Sequence, residues 1–76
     1  SNVEVTPLKI KPGNLLTDKS LAELDLRNNY SITLLAIKRK DKIINNPPSY
    51  TIIEEGDIVY IFGEKDKIIR FRQIIH

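Results

Sequence analysis

The chain has 76 residues, of which 41% are hydrophobic and 29% are charged, and it contains no cysteine. A chain this short holds one domain at most, and because no disulfide can stabilise its marginal core, we expect it to form an oligomer. Twelve Lys and Arg against ten Asp and Glu leave a net charge of +2, too small an excess to indicate a nucleic-acid polymer as partner.

The first segment predicts an edge strand. Val3 and Val5 alternate with polar residues, and Leu8 and Ile10 do so again after Pro7 in the opposite phase. A change of phase at a proline is typical of an edge strand with a bulge. Ser1 and Asn2, which precede this strand, are expected to be a remnant of cloning.

A short helix is predicted to follow. Ser20 and Glu23 have the spacing of a capping box, and Leu21 and Leu24 lie three residues apart on one helical face. Residues 28–29, two asparagines, are predicted to close this segment because asparagine tolerates left-handed backbone.

The next strand is apolar on both of its faces. Alternation places Ile32, Leu34 and Ala36 on one face and Leu35 and Ile37 on the other. Both faces of this strand must therefore be covered.

A hairpin turn around residues 40–42 is predicted to return the chain into Ile43 and Ile44. Pro47 and Pro48 then prevent further pairing, so this second strand of the hairpin must be short.

The last third predicts a central strand and a helix. Residues 58–62 are continuously apolar after a turn at 54–57, and Ile68, Phe71 and Ile75 have helical spacing. The predicted order is β-α-β-β-β-α, which indicates an α+β fold built as a small two-layer sandwich.

The apolar runs are far shorter than the roughly 18 residues that a membrane span requires, so no direct membrane insertion is expected.

Residues for catalysis are scarce. The single histidine is the terminal His76, and no cysteine or glycine-rich phosphate loop is present, so we predict that the chain is not an enzyme. The acidic group of Glu54, Glu55 and Asp57 is a weak candidate for a divalent cation, and the alternative is a turn that begins a strand.

Positive charge is concentrated in the hairpin. Residues 38–42 carry four cations and one Asp, and Asn45 and Asn46 follow them. One interpretation is that the cations protect an exposed sheet edge from pairing with other chains. The other is a site for a planar anionic ligand, with guanidinium on phosphate, amides on a base edge and isoleucine on its face. The residues alone leave both open.

The order of these segments carries a family resemblance. A short helix SLAEL at residues 20–24 precedes a hydrophobic strand that ends in Arg39, then come Pro47, the segment GDIVYIFG at residues 56–63 and the closing helix. In this order they resemble the C-terminal regulatory domain of the RCK family, also called TrkA-C, over residues 3–76. Such domains occur in cytoplasmic subunits of bacterial potassium channels and transporters.

The resemblance implies a dimeric domain that binds cyclic di-AMP between two copies, as in members of the KtrA and CpaA type. The implied ligand contacts come from the hairpin and the residues after it: Ile37, Arg39, Ile43, Ile44, Asn45, Asn46 and Pro47. Arginine would bind phosphate, the asparagines would bind adenine edges, and the isoleucines and proline would pack on adenine faces.

Further partners follow from the same resemblance. It implies no built-in cofactor, since NAD or ATP would bind only to a separate N-terminal domain outside this sequence. It implies a cytoplasmic location at the inner face of the membrane, through a potassium channel or transporter subunit. The alternatives are a dimerisation or docking module without a small ligand, and a lobe that senses divalent cations through Glu54, Glu55 and Asp57.

Overall fold

A computed structural model describes residues 2–76. The elements in chain order are β1 (Val3–Lys9), α1 (Leu21–Leu24), α2 (Leu26–Tyr30), β2 (Thr33–Arg39), β3 (Lys42–Asn45), β4 (Ile58–Glu64) and α3 (Lys65–Ile75). The strands form one antiparallel sheet in the order β1-β4-β2-β3. The predicted α+β sandwich and its element order are confirmed, except that the first helix is divided in two. None of the helices within residues 2–76 is long and apolar enough to cross a bilayer.

Strand β4 lies inside the sheet, as its continuous apolar sequence predicts. Val59 and Ile61 are completely buried beneath the amphipathic helix α3. On that helix, the three residues with predicted helical spacing, Ile68, Phe71 and Ile75, are all at most 2% exposed. The core therefore lies between one face of the sheet and the helices.

The capping box forms as predicted at the start of α1. Ser20 Oγ accepts a hydrogen bond from the Glu23 main-chain N at 3.1 Å, and Glu23 Oε1 accepts one from the Ser20 N at 3.0 Å. The helix ends after one turn because Asp25 adopts a left-handed conformation with φ of 44°.

The predicted helix end at residues 28–29 is wrong. These asparagines lie inside α2, and the left-handed residue that ends it is Ser31, with φ of 60°. Their amides instead stabilise the break between the two helices: Asn28 donates to the Asp25 carboxylate, and Asn29 donates to the Leu24 carbonyl at 2.8 Å.

The bulge predicted in β1 is absent. Strand β1 is an edge strand, as expected, but it pairs with β4 in unbroken register across Pro7. The phase of its apolar residues changes because Val3 and Val5 lie on one sheet face, whereas Leu8 lies on the core face.

The irregularity lies in β2 instead. The register between β2 and β4 shifts between Leu34 and Ala36, which leaves Leu35 as the extra residue. An extra residue inverts the alternation beyond it, so Leu34 and Ile37 share the core face and Ala36 lies on the other. The predicted division of this strand into two faces is therefore wrong beyond Leu34.

The sheet face opposite the helices is apolar and uncovered within residues 2–76. By strand register this open sheet face carries Val3, Val5, Ile43, Ile58, Tyr60 and Phe62. The side chains of Val5, Ile43 and Phe62 are 53%, 57% and 41% exposed. Within residues 2–76 one chain thus covers only one face of the sheet, so the predicted cover of the second face would have to come from outside these residues.

The hairpin is confirmed. Strands β2 and β3 pair from Ala36 with Asn45 to Arg39 with Lys42, and Lys40 in the turn between them has a φ of +56°. Strand β3 has four residues and lies at the sheet edge, as Pro47 and Pro48 predict. Asn46, with φ of 48°, ends it and donates its main-chain N–H to the Leu35 carbonyl at 2.9 Å.

Replacing Ser20 with Ala should lower the free energy of unfolding by about 1 kcal/mol, because the main-chain N–H of Glu23 loses its acceptor. Urea denaturation measures this change. Ser49→Ala, the same substitution at an exposed serine, is the control and should change the free energy by much less. Equal effects of both substitutions would contradict a stabilising capping box.

Candidate ligand site at the β2–β3 hairpin

A cleft of about 520 Å³ lies beside the hairpin. Its lining consists of three cationic, two acidic and one aliphatic residue: Arg39, Lys40, Lys42, Asp41, Glu54 and Ile44. We call this the hairpin cleft. Its excess of positive charge favours an anionic occupant.

Most of the Arg39 guanidinium is held by the protein itself. Nε donates to Asp57 Oδ1 at 2.9 Å, and Nη2 donates to Asp57 Oδ2 and to the Ile52 carbonyl, both at 2.8 Å. The third nitrogen, Nη1, lies 3.1 Å from Glu54 Oε2. Arg39 therefore enters the cleft as a fixed group with one nitrogen turned toward an exposed carboxylate.

Asp57 is a buried carboxylate that stays ionised. It is 1% exposed, and burial alone would raise the pKa of Asp57. The hydrogen bonds from Arg39 and from the Glu54 main-chain N at 2.9 Å outweigh burial, so the pKa of Asp57 lies below its usual value. The same hydrogen bond raises the pKa of Arg39. Both members of the pair are thus charged at neutral pH.

The turn before β4 places Asp57 against the hairpin. Gly56 supplies a φ of +93°, which favours glycine because other residues are strained there. The Gly56 N–H donates to the Ile10 carbonyl, and the Ile10 N–H donates to the Asp57 carbonyl, both at 2.8 Å. The ion pair therefore joins the hairpin to the end of β1 as well as to β4.

Two of the seven predicted ligand residues line the hairpin cleft, namely Arg39 and the half-buried Ile44. Ile37 pairs with Ile44 in the sheet, but its side chain is completely buried in the core. The side chain of Ile37 thus anchors the hairpin in the core and does not reach the surface.

The other four predicted residues lie on different surfaces. Ile43 and Asn45 belong to the open sheet face by register, and Asn46 is exposed at the end of β3. Pro47 borders a second groove, of about 330 Å³, beside α1 and α2. One chain alone does not bring the seven residues around a single ligand.

The structure also brings in residues that the sequence did not assign to a ligand. Lys40 and Lys42, which in the sequence are part of the charged turn, both line the cleft. For Glu54 and Asp57 the sequence predicts either a divalent-cation site or a turn that begins a strand, and neither prediction includes a contact with Arg39. Their contacts with Arg39 join residues up to 18 positions apart, for which the sequence contains no local signal.

The acidic residues do not form a cation site in this geometry. Asp57 and Glu54 both contact Arg39, and Glu55 is exposed. Within residues 2–76, no group of three or more potential ligands is arranged to hold a metal ion.

Replacing Asp57 with Asn should lower the free energy of unfolding at neutral pH by about 3 kcal/mol, since Arg39 loses its buried counter-charge. Because folding depresses the pKa of Asp57, its contribution is complete above its unfolded pKa of about 4 and is lost as the pH falls through the folded value. The difference between wild type and variant should therefore narrow from pH 5 to pH 3 in urea denaturation.

The matched control is Asp41→Asn, in the exposed hairpin turn, which should be nearly neutral. A constant difference between wild type and Asp57→Asn across this pH range would contradict the assignment. Arg39→Ala should destabilise the domain for the same reason. Its effect on ligand affinity can therefore be interpreted only at temperatures where the variant is folded.

Comparison with known proteins places this geometry in a family. Residues 5–76 match the TrkA-C domain. Potassium channel protein 1 of Methanocaldococcus jannaschii is 37% identical over 60 residues, which cover 79% of this chain and 18% of that protein. The K(+)/H(+) antiporter subunit KhtT of Bacillus subtilis is 32% identical over 77 residues, which cover 100% of this chain and 45% of that protein. The chain thus spans less than half the length of these relatives.

Solved structures share the fold. The RCK C domain of potassium transport protein KtrA, in complex with cyclic di-AMP, has a TM-score of 0.87 and 30% identity, covering 96% of this chain and 84% of that one. The RCK_C domain dimer of S. agalactiae BusR, in complex with cyclic di-AMP, has a TM-score of 0.82 and 25% identity, with 91% of each chain covered. BusR has also been solved with its promoter DNA, and this chain covers 34% of that one. On its sequence match and its fold, the chain belongs to the TrkA-C domain family.

Proposed function

We propose that this domain is a regulatory, non-catalytic module of a cytoplasmic subunit in a potassium transport system, and that it binds cyclic di-AMP between two copies of itself. The observation that supports this most is the likeness, over 96% of the chain, to the KtrA domain solved with that ligand. The hairpin cleft adds a chemical reason, because its cations suit the ligand's two phosphodiester groups.

The dispersal of the predicted contact residues favours a site made by two chains. In one chain, Arg39 and Ile44 line the cleft, whereas Ile43 and Asn45 lie on the open sheet face. A second copy related by two-fold symmetry brings its own set of these side chains to the interface. Cyclic di-AMP has the same two-fold symmetry, so each half of the ligand would meet an equivalent surface.

The open sheet face is the surface that we propose for pairing. Sheet faces rich in apolar side chains are normally covered by another layer, and within residues 2–76 the helices cover only the opposite face. BusR, which shares this fold, was solved as an RCK_C domain dimer. Pairing through this face would also bring Ile43 and Asn45 to the interface.

Replacing Phe62 with Glu should convert the dimer to a monomer, because it places a charge in the middle of the open sheet face. Sedimentation equilibrium measures the mass. Ile69→Glu on α3 is the matched control: Ile69 is 48% exposed and Phe62 is 41% exposed, but Ile69 lies on the helix and away from this face. A Phe62→Glu variant that stays dimeric would exclude this face as the interface.

Regulation requires that the ligand distinguish two states. Cyclic di-AMP can shift a transport system only to the extent that it binds one arrangement of the paired domains more tightly than another. A ligand held between two copies has this property, since any movement of one copy against the other changes its contacts.

Replacing Lys40 with Gly should give a more stable domain that binds cyclic di-AMP more weakly. Glycine removes the strain of a left-handed lysine, worth about 0.5 to 1 kcal/mol, and the loss of the charge weakens binding by roughly 1 kcal/mol. Thermal melting and isothermal calorimetry measure the two changes.

Ser31→Gly is the matched control, because Ser31 is also left-handed, with φ of 60°, and carries no charge. It should stabilise the domain without altering affinity. If Lys40→Gly binds as tightly as wild type, Lys40 does not contact the ligand.

One observation favours a second candidate, a dimerisation or docking module without a small ligand. Strand β3 is a short edge strand that begins with Lys42, as expected if the cations only protect the edge. A dimer that shows no thermal stabilisation by cyclic di-AMP would support this candidate.

A further inference from the structure

Glu54 lies against the one part of the Arg39 guanidinium that the core does not occupy. Nε and Nη2 are bonded to the buried Asp57 and to the Ile52 carbonyl. The partner of Nη1 within residues 2–76 is the Glu54 carboxylate, at 3.1 Å. Nη1 is therefore the nitrogen through which Arg39 would meet a ligand in the hairpin cleft, and an internal anion already faces it.

The two carboxylates around Arg39 differ in how firmly they are held. The side chain of Asp57 is 2% exposed, whereas that of Glu54 is 57% exposed. The Glu54 main-chain N–H is fixed by Asp57 Oδ2 at 2.9 Å, so its side chain can turn into solvent while its backbone stays in place. An exposed ion pair of this kind stabilises the fold little, and breaking it has a correspondingly small cost.

We propose that Glu54 is an internal competitor for the ligand: its carboxylate occupies the position on Arg39 Nη1 that an anionic group of the ligand would take. This inference rests on the proposed function, in which the hairpin cleft receives a phosphate. Binding then exchanges one anion for another on Arg39, while Asp57 keeps the guanidinium oriented throughout. Glu54 thereby sets the ligand concentration at which the domain responds, without a role in holding the fold together.

The charges in the cleft support this exchange. Lys40 and Lys42 line the same cleft, so a phosphate that displaces Glu54 from Nη1 also gains their attraction. A side-chain carboxylate carries one negative charge at this position, and it repels a phosphate across a few ångströms of solvent. Removing that charge while keeping the size of the side chain should therefore increase affinity.

Replacing Glu54 with Gln tests the inference. Calorimetric titration with cyclic di-AMP should show binding about three- to tenfold tighter than wild type at low ionic strength, with a smaller gain at high salt. Glu55→Gln is the matched control, because it makes the same change of charge at a neighbouring exposed residue that does not line the cleft. An unchanged or weaker affinity in Glu54→Gln, or an equal gain in Glu55→Gln, would overturn the inference.

A second titration separates this inference from the proposed function. Inorganic phosphate is added to nitrogen-15-labelled wild type and Glu54→Gln, and the Arg39 side-chain Nε resonance is followed. If neither wild type nor Glu54→Gln binds cyclic di-AMP, the proposed ligand is wrong. The phosphate titration then decides the role of Glu54. A shift at several-fold lower phosphate concentration in Glu54→Gln supports the competitor, whereas equal responses or no response in either protein reject it.

Discussion

The ion pair between Arg39 and the buried Asp57 is the interaction on which the arrangement of this domain depends. It joins the hairpin to the turn before β4, and through the main-chain bonds of Ile10 it reaches the end of β1. A buried carboxylate without its partner is strongly destabilising, so the pair fixes the hairpin relative to the core. The backbone that carries the cations of the cleft is therefore held in place before binding, which reduces the conformational entropy lost when a ligand binds.

The same ion pair limits how Arg39 can contact a ligand. A phosphate-binding arginine is usually pictured as a free side chain, but three of the donor contacts of Arg39 belong to Asp57 and Ile52. What remains for a ligand is Nη1, beside two lysines and opposite Glu54. Phosphate would then be bound by several residues of the cleft together. Arg39 would donate from a fixed orientation, and the flexible lysine side chains would add positive charge.

Sequence patterns predicted the elements whose signals are local. The spacing of Ser20 and Glu23, the apolar run of β4 and the helical spacing of Phe71 all appear in the structure as expected. Features that depend on long-range pairing did not follow from the sequence. The bulge at Leu35 inverts the faces of β2, and alternation alone cannot locate it because register is set by the neighbouring strand. Likewise, no sequence feature near Asp57 predicts that it pairs with Arg39, 18 residues away.

The central claim is that the domain recognises cyclic di-AMP between two copies of itself. Its most direct test is calorimetric titration of the purified domain with cyclic di-AMP, with AMP, ATP and cyclic di-GMP as controls. We predict saturable binding of one ligand per two chains, with no comparable binding of the controls. A dimer that shows no binding heat at high micromolar cyclic di-AMP would contradict the claim. The hairpin cations would then be interpreted as protection of the sheet edge.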